Sequence, residues 1–186
     1  MNSGDLSLDT RSDFVQNSRK GRNMKYLVCS DIHGDEKAFS TIIRLKEDLG
    51  CEAIISAGDF CPTSEMEVMA YNTDFITVMG NCDRYHSLSL LSDPRDFIKF
   101  DFGVRKAVIT HGDHYQSYQF QLEDGDIFIS GHTHRSMLEK NGGIIFLNPG
   151  SPARPRDGVK SFAILDEKGV FLLTFPKARV FKELLF

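Results

Sequence analysis

The sequence predicts an α/β fold in which two β-sheets pack face to face with helices outside. Three observations carry this. Residues 25–79 alternate short apolar strands with helix-like stretches in a β-α-β-α-β order, which argues for parallel strands joined by right-handed crossovers. From residue 97 onward the chain reads instead as strand pairs flanking Gly-bearing turns, the mark of antiparallel hairpins. At several strand ends the next residues are Asp, His or Asn beside Gly, so one rim collects groups that bind metal ions.

The elements follow in order. Lys25 to Ser30 is a short apolar strand, expected to be buried on both faces. Residues 35 to 49 keep a helical period through Ala38, Ile42, Ile43 and Leu45, and Gly50 fits the stop. Ala53 to Ala57 is a second strand, Glu65 to Tyr71 a helix, and Asp74 to Met79 a third strand. Phe97 to Phe102 and Val104 to Thr110 form a hairpin about Gly103. A short helix is expected over Tyr115 to Leu122, then a strand from Asp126 to Ser130. Arg135 to Lys140 and Ile144 to Leu147 flank Asn141-Gly142-Gly143, a second hairpin. Lys160 to Asp166 and Val170 to Phe175 flank a third turn, and the terminal Phe181 to Phe186 reads as strand or helix. Residues 1–23 are polar and mixed in charge, so a disordered tail is expected there and a single domain over 24–186.

Composition narrows the functional classes. The chain has 186 residues, 41% apolar and 26% charged, which suits one domain with a real core. A formal net charge of −4 supplies no global basic field, so nucleic acid is a disfavoured partner. No apolar run approaches a membrane span and the first residues lack the apolar stretch of a signal peptide, so a cytoplasmic protein with no membrane partner is expected. The cysteines at 29, 51, 61 and 82 form no CxxC pair, which fits reduced thiols.

Five short motifs carry the chemistry: Asp31-Ile32-His33, Gly58-Asp59, Gly80-Asn81-Cys82-Asp83, His111-Gly112 and Gly131-His132-Thr133-His134. Each alone is modest, since GD or GN occurs in many turns. Residues i and i+2 of an extended segment point the same way, so DxH and HxH can each address one metal cluster. A carboxylate has two oxygens and can bridge two ions, which makes Asp59 the expected bridge, and Asn81 offers a neutral carbonyl oxygen. Two carboxylates, four imidazoles and one amide form the inventory for two divalent ions, which clamp the attacking and leaving oxygens of a phosphoryl displacement.

The ordered series DxH, GD, GN, HG and GHTH resembles the calcineurin-like metallophosphoesterase superfamily. The short length, the GNCD run and Asn148-Pro149-Gly150-Ser151 resemble its small phosphodiesterase branch from bacteria and archaea. The resemblance covers about residues 24 to 175 and implies a four-layer αββα sandwich of two mixed sheets flanked by helices. It implies one ion held by Asp31, His33, Asp59 and His134 and another by Asp59, Asn81, His111 and His132. The expected catalytic group is Asp59, Asn81, Cys82 and Asp83. Many relatives carry histidine where this chain has Cys82, and a thiol is a poorer proton donor near neutral pH. Esters with good leaving groups are therefore expected as substrates, or water protonates the leaving group; a space-filling role for Cys82 is weighed equally. Asp113 also stands where relatives often carry histidine, and neither it nor His114 is given a role.

The implied activity is hydrolysis of small phosphodiesters by a metal-bridging hydroxide. Two M²⁺ ions (+4) against Asp31 and Asp59 (−2) leave about +2 on the site, which attracts phosphate to an acidic protein. Imidazole and carboxylate ligands suit Mn²⁺, Fe²⁺, Ni²⁺ or Zn²⁺ better than Ca²⁺, and the resemblance points to Mn²⁺. Arg156, in the Pro-rich loop after Ser151, is a candidate phosphate binder, although a solvated loop arginine is the preferred reading. The alternatives are a protein-interaction scaffold like the small retromer subunit, a nuclease and a phosphomonoesterase. The scaffold reading calls for lost ligands, and none is lost here. The apolar end Leu184-Leu185-Phe186 is expected to close a core rather than form a partner patch, and a homo-oligomer is left open.

Overall fold

The computed structural model describes residues 24–85 and 95–186; the tail expected over 1–23 lies outside them. Two mixed sheets form the centre. The first has six strands in the order β11-β10-β9-β1-β2-β3, and the second five in the order β4-β5-β6-β8-β7. The strands are β1 (Tyr26–Cys29), β2 (Ala53–Ser56), β3 (Phe75–Thr77), β4 (Phe97–Phe102), β5 (Arg105–Thr110), β6 (Ile127–Ile129), β7 (Ser136–Asn141), β8 (Ile144–Pro149), β9 (Ser161–Asp166), β10 (Gly169–Thr174) and β11 (Arg179–Leu185). Two α-helices, α1 (Glu36–Asp48) and α2 (Ser64–Tyr71), complete the βαβαβ unit.

The period-two alternation of side chains divides the core into two layers. Tyr26 and Val28 of β1 face the second sheet, joining Ala163 and Leu165 of β9 and Ile109, Ile127, Ile129 and Leu147 opposite. Leu27 and Cys29 face the other way, onto Phe39 and Ile42 of α1 and Met66 of α2. Both helices are capped by side chains: Asp35 accepts from the Ala38 amide and Thr63 from the Met66 amide. The Thr63 hydroxyl also donates to Glu36, tying the two helix starts together. Phe39, Phe60 and Phe75 pack edge-on or tilted at 4.7–5.3 Å between centroids, so α1 is fastened to the loop that follows β2.

The helix expected over Tyr115 to Leu122 is instead a single 3₁₀ turn at Ser117–Gln119. Tyr115 and Phe120 both turn onto Phe97, at 5.2 and 5.3 Å. Five residues apart on an α-helix they would point about 140° apart. Phe128 and Phe146 extend this aromatic layer over the outer face of the second sheet. The terminal stretch is strand. It alternates as the last strand of its sheet: Leu184 and Phe186 pack on the inter-sheet core, while Leu185 points outward. Among the described residues no helix is long and apolar enough to cross a membrane.

Phe39→Ala should lower the unfolding free energy by roughly 3–5 kcal/mol, the range for emptying a fully buried aromatic site. Tyr71→Ala, on the exposed side of α2, should stay within about 0.5 kcal/mol. Urea denaturation of the two variants checks both.

Candidate metal centre

Parallel pairing in both sheets brings the C-terminal ends of β1, β2 and β3 beside those of β5, β6 and β8. The first sheet delivers Asp31, His33, Asp59 and Asn81 to this rim, and the second delivers His111, His132 and His134. All seven expected ligands converge. Asp31, His33 and His134 meet on one side: His33 Nε2 is 3.2 Å from His134 Nε2 and 3.9 Å from Asp31 Oδ1, and His134 Nε2 is 3.3 Å from Asp31 Oδ1. Asp59 Oδ2 lies between the two groups, 3.6 Å from His33 Nε2 and 3.4 Å from His111 Nε2. On the far side Asn81 Oδ1 is 3.2 Å from His111 Nε2 and 3.1 Å from His132 Nδ1.

The DxH and HxH ligands converge by a different route from the extended geometry expected of them. Asp31, His33, Asp59, His132 and His134 all have positive φ, between 48° and 65°. Left-handed backbone is costly for any residue with a Cβ, on the order of 1–2 kcal/mol each. Such positions persist where surrounding structure over-determines them, and they concentrate at functional sites. Here the surroundings are a lattice of hydrogen bonds between loops. The Asp31 and His33 amides donate to the Gly58 and Asp59 carbonyls at 3.0 and 2.9 Å. The Asp83 carboxylate accepts from the Cys61 amide (2.7 Å) and the Gly80 amide (2.8 Å). The Ser151 hydroxyl donates to the Asp31 carbonyl at 2.8 Å, and Asn148 Nδ2 donates to the Gly131 carbonyl at 2.7 Å. Glycine is required at two crossings: a Cβ on Gly80 would strike the Asp59 carboxylate, and one on Gly131 would strike the Ser30 hydroxyl.

The chemistry of the donor set fits divalent cations. His134 Nδ1 donates to the Arg154 carbonyl (2.7 Å) and His111 Nδ1 to the Ala57 carbonyl (2.8 Å), which in the neutral rings leaves each Nε2 lone pair aimed into the cluster. Where a ring is neutral, its lone pair faces carboxylate or amide oxygens, which is repulsive until a proton or a cation intervenes. Asp31 makes the point most directly: it is fully buried, and neither carboxylate oxygen has a hydrogen-bond partner. An orphaned buried carboxylate costs several kcal/mol unless it is neutralised.

The titration behaviour agrees. Burial pushes the Asp31 pKa up, against the pull of His111 and His134. Burial also lowers His33 to about 4, although Asp59 opposes it, so the His33 ring is neutral at ordinary pH. Burial works against a charged His111, yet its contacts with Asp59 and the Ala57 carbonyl raise it to about 9. Burial also works to raise Asp59, but the bond to His111 overcomes this and holds the carboxyl far below its usual range. In the ion-free protein a proton on His111 therefore fills part of the role of a cation.

Asp83 sits beneath the cluster rather than facing it, with one oxygen on each of two loop amides, and so positions the loops. Cys82 borders the cluster: its amide donates to Asp59 Oδ1 at 2.9 Å, and its side chain is half-buried. Arg156 donates its backbone amide to the His134 carbonyl, and its side chain is exposed. Arg154 is the arginine that reaches the rim, with its guanidinium 3.5 Å from the His33 carbonyl. Asp113 and His114 pair with each other at 2.9 Å. Sequence reasoning missed Cys61, whose sulfur lies 4.0 Å from His33 Nδ1, and gave no role to Ser151 or Asn148. Only the Asn-Pro-Gly-Ser run hinted at the last two.

Comparison with known proteins follows the same lines. The profile of the calcineurin-like phosphoesterase superfamily domain matches residues 24–169. The chain is similar to phosphodiesterase MJ0936 of Methanocaldococcus jannaschii, 29% identical over 154 residues, 77% of this chain and 93% of the relative. It is also similar to phosphodiesterase YfcE of Escherichia coli K12, 27% identical over 161 residues, 77% of this chain and 88% of that protein. The solved structure of E. coli YfcE superposes with a TM-score of 0.77 at 22% identity, covering 87% of this chain and 99% of that one. That of vacuolar protein sorting 29 from Cryptosporidium parvum gives 0.63 at 18% identity, covering 88% and 99%.

Two outcomes follow from these electrostatics. A carboxyl whose folded pKa is raised destabilises the fold as pH climbs through that pKa, because folding then strips it of water while it is charged. Asp31→Asn should therefore raise the melting temperature of metal-free protein, by the equivalent of roughly 1–3 kcal/mol, and should lose the further rise that wild type gains from added Mn²⁺. Differential scanning calorimetry with and without Mn²⁺ checks both. For His111 the bound proton must leave before a cation takes Nε2. Apparent affinity should climb with pH and level off above about 9, with close to one proton released per chain near neutral pH. Calorimetric titration in two buffers of different ionisation enthalpy measures that release.

Proposed function

The chain belongs to the calcineurin-like phosphoesterase superfamily, and on that premise we propose that it is a metal-dependent phosphodiesterase acting on small phosphodiesters with two divalent ions, Mn²⁺ foremost. The observation that carries the reading is the orphaned carboxylate of Asp31 at the centre of seven converging ligands. A scaffold would have no reason to keep such a cost. The names of the relatives, phosphodiesterases MJ0936 and YfcE, support the same class of reaction.

Asp31, His33, Asp59 and His134 would hold one ion, and Asp59, Asn81, His111 and His132 the other. When bound, the ions supply a nucleophile at neutral pH and positive charge for the transferring phosphoryl group. The chain's own residues do the rest. Asp59, fixed by the Cys82 amide at 2.9 Å, keeps both positions in register. His132 and Asn81 stand at the accessible side, where a substrate enters. Burial, then the charge of Asp59, pushes the Cys82 thiol up, so at neutral pH it keeps its proton and can donate only weakly to a leaving oxygen. Arg154 at the rim adds a cation on the phosphate's approach. Four free cysteines fit a cytoplasmic setting.

The scaffold reading is favoured by one observation, the structural likeness to vacuolar protein sorting 29. Exposed Val180, Phe181 and Leu185 on β11 would be the surface concerned.

Metal-stripped protein should hydrolyse bis-p-nitrophenyl phosphate once Mn²⁺ is restored, and Asp59→Asn should cost roughly 10²-fold or more in kcat, the scale for losing one electrostatic element of such a site. Wild-type turnover by Asp59→Asn in metal-defined buffer, or no turnover with Mn²⁺, Ni²⁺, Zn²⁺ or Mg²⁺ despite bound metal, would sink the assignment.

A further inference from the structure

Bordering the seven ligands, and sharing His33 with them, lies a second cluster built on Cys61, to which the phosphodiesterase reading gives no part. A ring nitrogen of His33 and the sulfurs of Cys61 and Cys82 all lie within 4.8 Å of one another, and Cys61 Sγ is 4.0 Å from His33 Nδ1. The three come from three different loops, after β1, β2 and β3. At a tetrahedral ion, bonds of about 2.3 Å to sulfur and 2.0–2.1 Å to nitrogen set S···N edges of roughly 3.6 Å and S···S edges of roughly 3.8 Å. The cluster is within a few tenths of an ångström to about 1 Å of that shape, a gap that side-chain rotation can close. Cys82 is half-buried, which gives an ion a way in, and Cys61 is buried. The carboxylates of Asp59 and Asp83 sit close by and favour a cation there.

We propose that His33, Cys61 and Cys82 form a third metal position, selective for thiophilic ions such as Zn²⁺, Cd²⁺ or Cu⁺, that works against the two-ion centre. Thiolate ligands select soft ions, whereas the neighbouring carboxylate, amide and imidazole set suits harder ones. The antagonism comes from His33. Its Nε2 faces Asp31, Asp59 and His134, while its Nδ1 faces Cys61. A neutral imidazole has one lone pair, so an ion on Nδ1 leaves a proton on Nε2 and removes His33 from the two-ion set. Cys82 adjoins the ligand Asn81, and the Asn81 amide already donates to its sulfur at 3.4 Å, so the same ion disturbs the second position too. Binding of a divalent ion by both thiols releases two protons and changes no oxidation state. This inhibition rests on the phosphodiesterase reading; the site itself does not.

The test uses reduced, metal-stripped full-length protein titrated with Cd²⁺. The expected result is an ultraviolet thiolate-to-cadmium band that weakens in Cys61→Ser and in Cys82→Ser and vanishes in the double variant, with circular dichroism verifying the fold. Alkylation mapping on wild-type protein asks the same without substitution: Cd²⁺ should shield Cys82 from the reagent. A band that survives in the double variant, or unshielded Cys82 while dialysis shows Cd²⁺ bound, overturns the site. In Mn²⁺-supported hydrolysis, the Cd²⁺ concentration for half-inhibition should rise on the order of tenfold in Cys61→Ser, and an unchanged value overturns the antagonism. The band and the shielding are read without any activity. Their absence beside intact Mn²⁺-dependent hydrolysis defeats this proposal alone, and their presence beside absent hydrolysis defeats the phosphodiesterase reading alone.

Discussion

Asp31 leaves β1 as a fully buried carboxylate whose oxygens meet no donor, and the architecture at this end of the molecule answers to that one charge. The carboxylate has no exposed surface, and neither oxygen has a partner at hydrogen-bond geometry. His134 and His33 stand at 3.3 and 3.9 Å, offering Coulombic relief only when protonated, and burial holds His33 to about 4. A cation is the partner that satisfies the carboxylate and the imidazole lone pairs together. The loops that carry these groups are also held by contacts outside the cluster.

Those contacts come from backbone hydrogen bonds and buried polar side chains outside the ligand set. Asp83 clamps the Cys61 and Gly80 amides, Ser151 fastens the Asp31 carbonyl, and Asn148 holds the GHTH loop through the Gly131 carbonyl and the Thr133 hydroxyl. The bonds to Cys61, Asp31 and the GHTH loop secure loops that carry left-handed residues. Preorganisation of this kind spares a metal site the cost of ordering its ligands when the ion binds. It also accounts for Gly80 and Gly131, where loops cross too closely for a Cβ.

Much of this was legible in the sequence because the signals are local. The strand series, the two helices and the hairpins follow from hydrophobic period and turn residues, and the elements agree within a few residues at their ends. The candidate ligands were legible because they sit in short glycine-bearing motifs that follow apolar strands. The illegible parts depend on contacts distant in sequence. The aromatic packing of Tyr115 and Phe120 on Phe97 replaced an expected helix with a 3₁₀ turn. Left-handed φ at Asp31, His33, His132 and His134 has no composition mark, since the residues that need it are not glycine. Cys61 looked like an ordinary small residue until the loop after β2 placed its sulfur against His33, and Asp83 looked like an active-site acid until both of its oxygens were found on loop amides.

The division of the ligands between the two sheets bears on more than catalysis. An ion held by Asp31, His33 and His134 joins the first sheet to the second, and so does one held by Asp59, Asn81, His111 and His132. A loaded centre would therefore act as a double clasp across the mouth of the sandwich. Prying the sheets apart at this end would require breaking coordination bonds on both sides at once, while the opposite end is closed by contacts such as Phe102 and the Arg105 guanidinium on the Phe186 ring. Loss of metal would thus unfasten the sandwich from one edge, so that resistance to proteolysis and to thermal opening becomes a readout of metal supply.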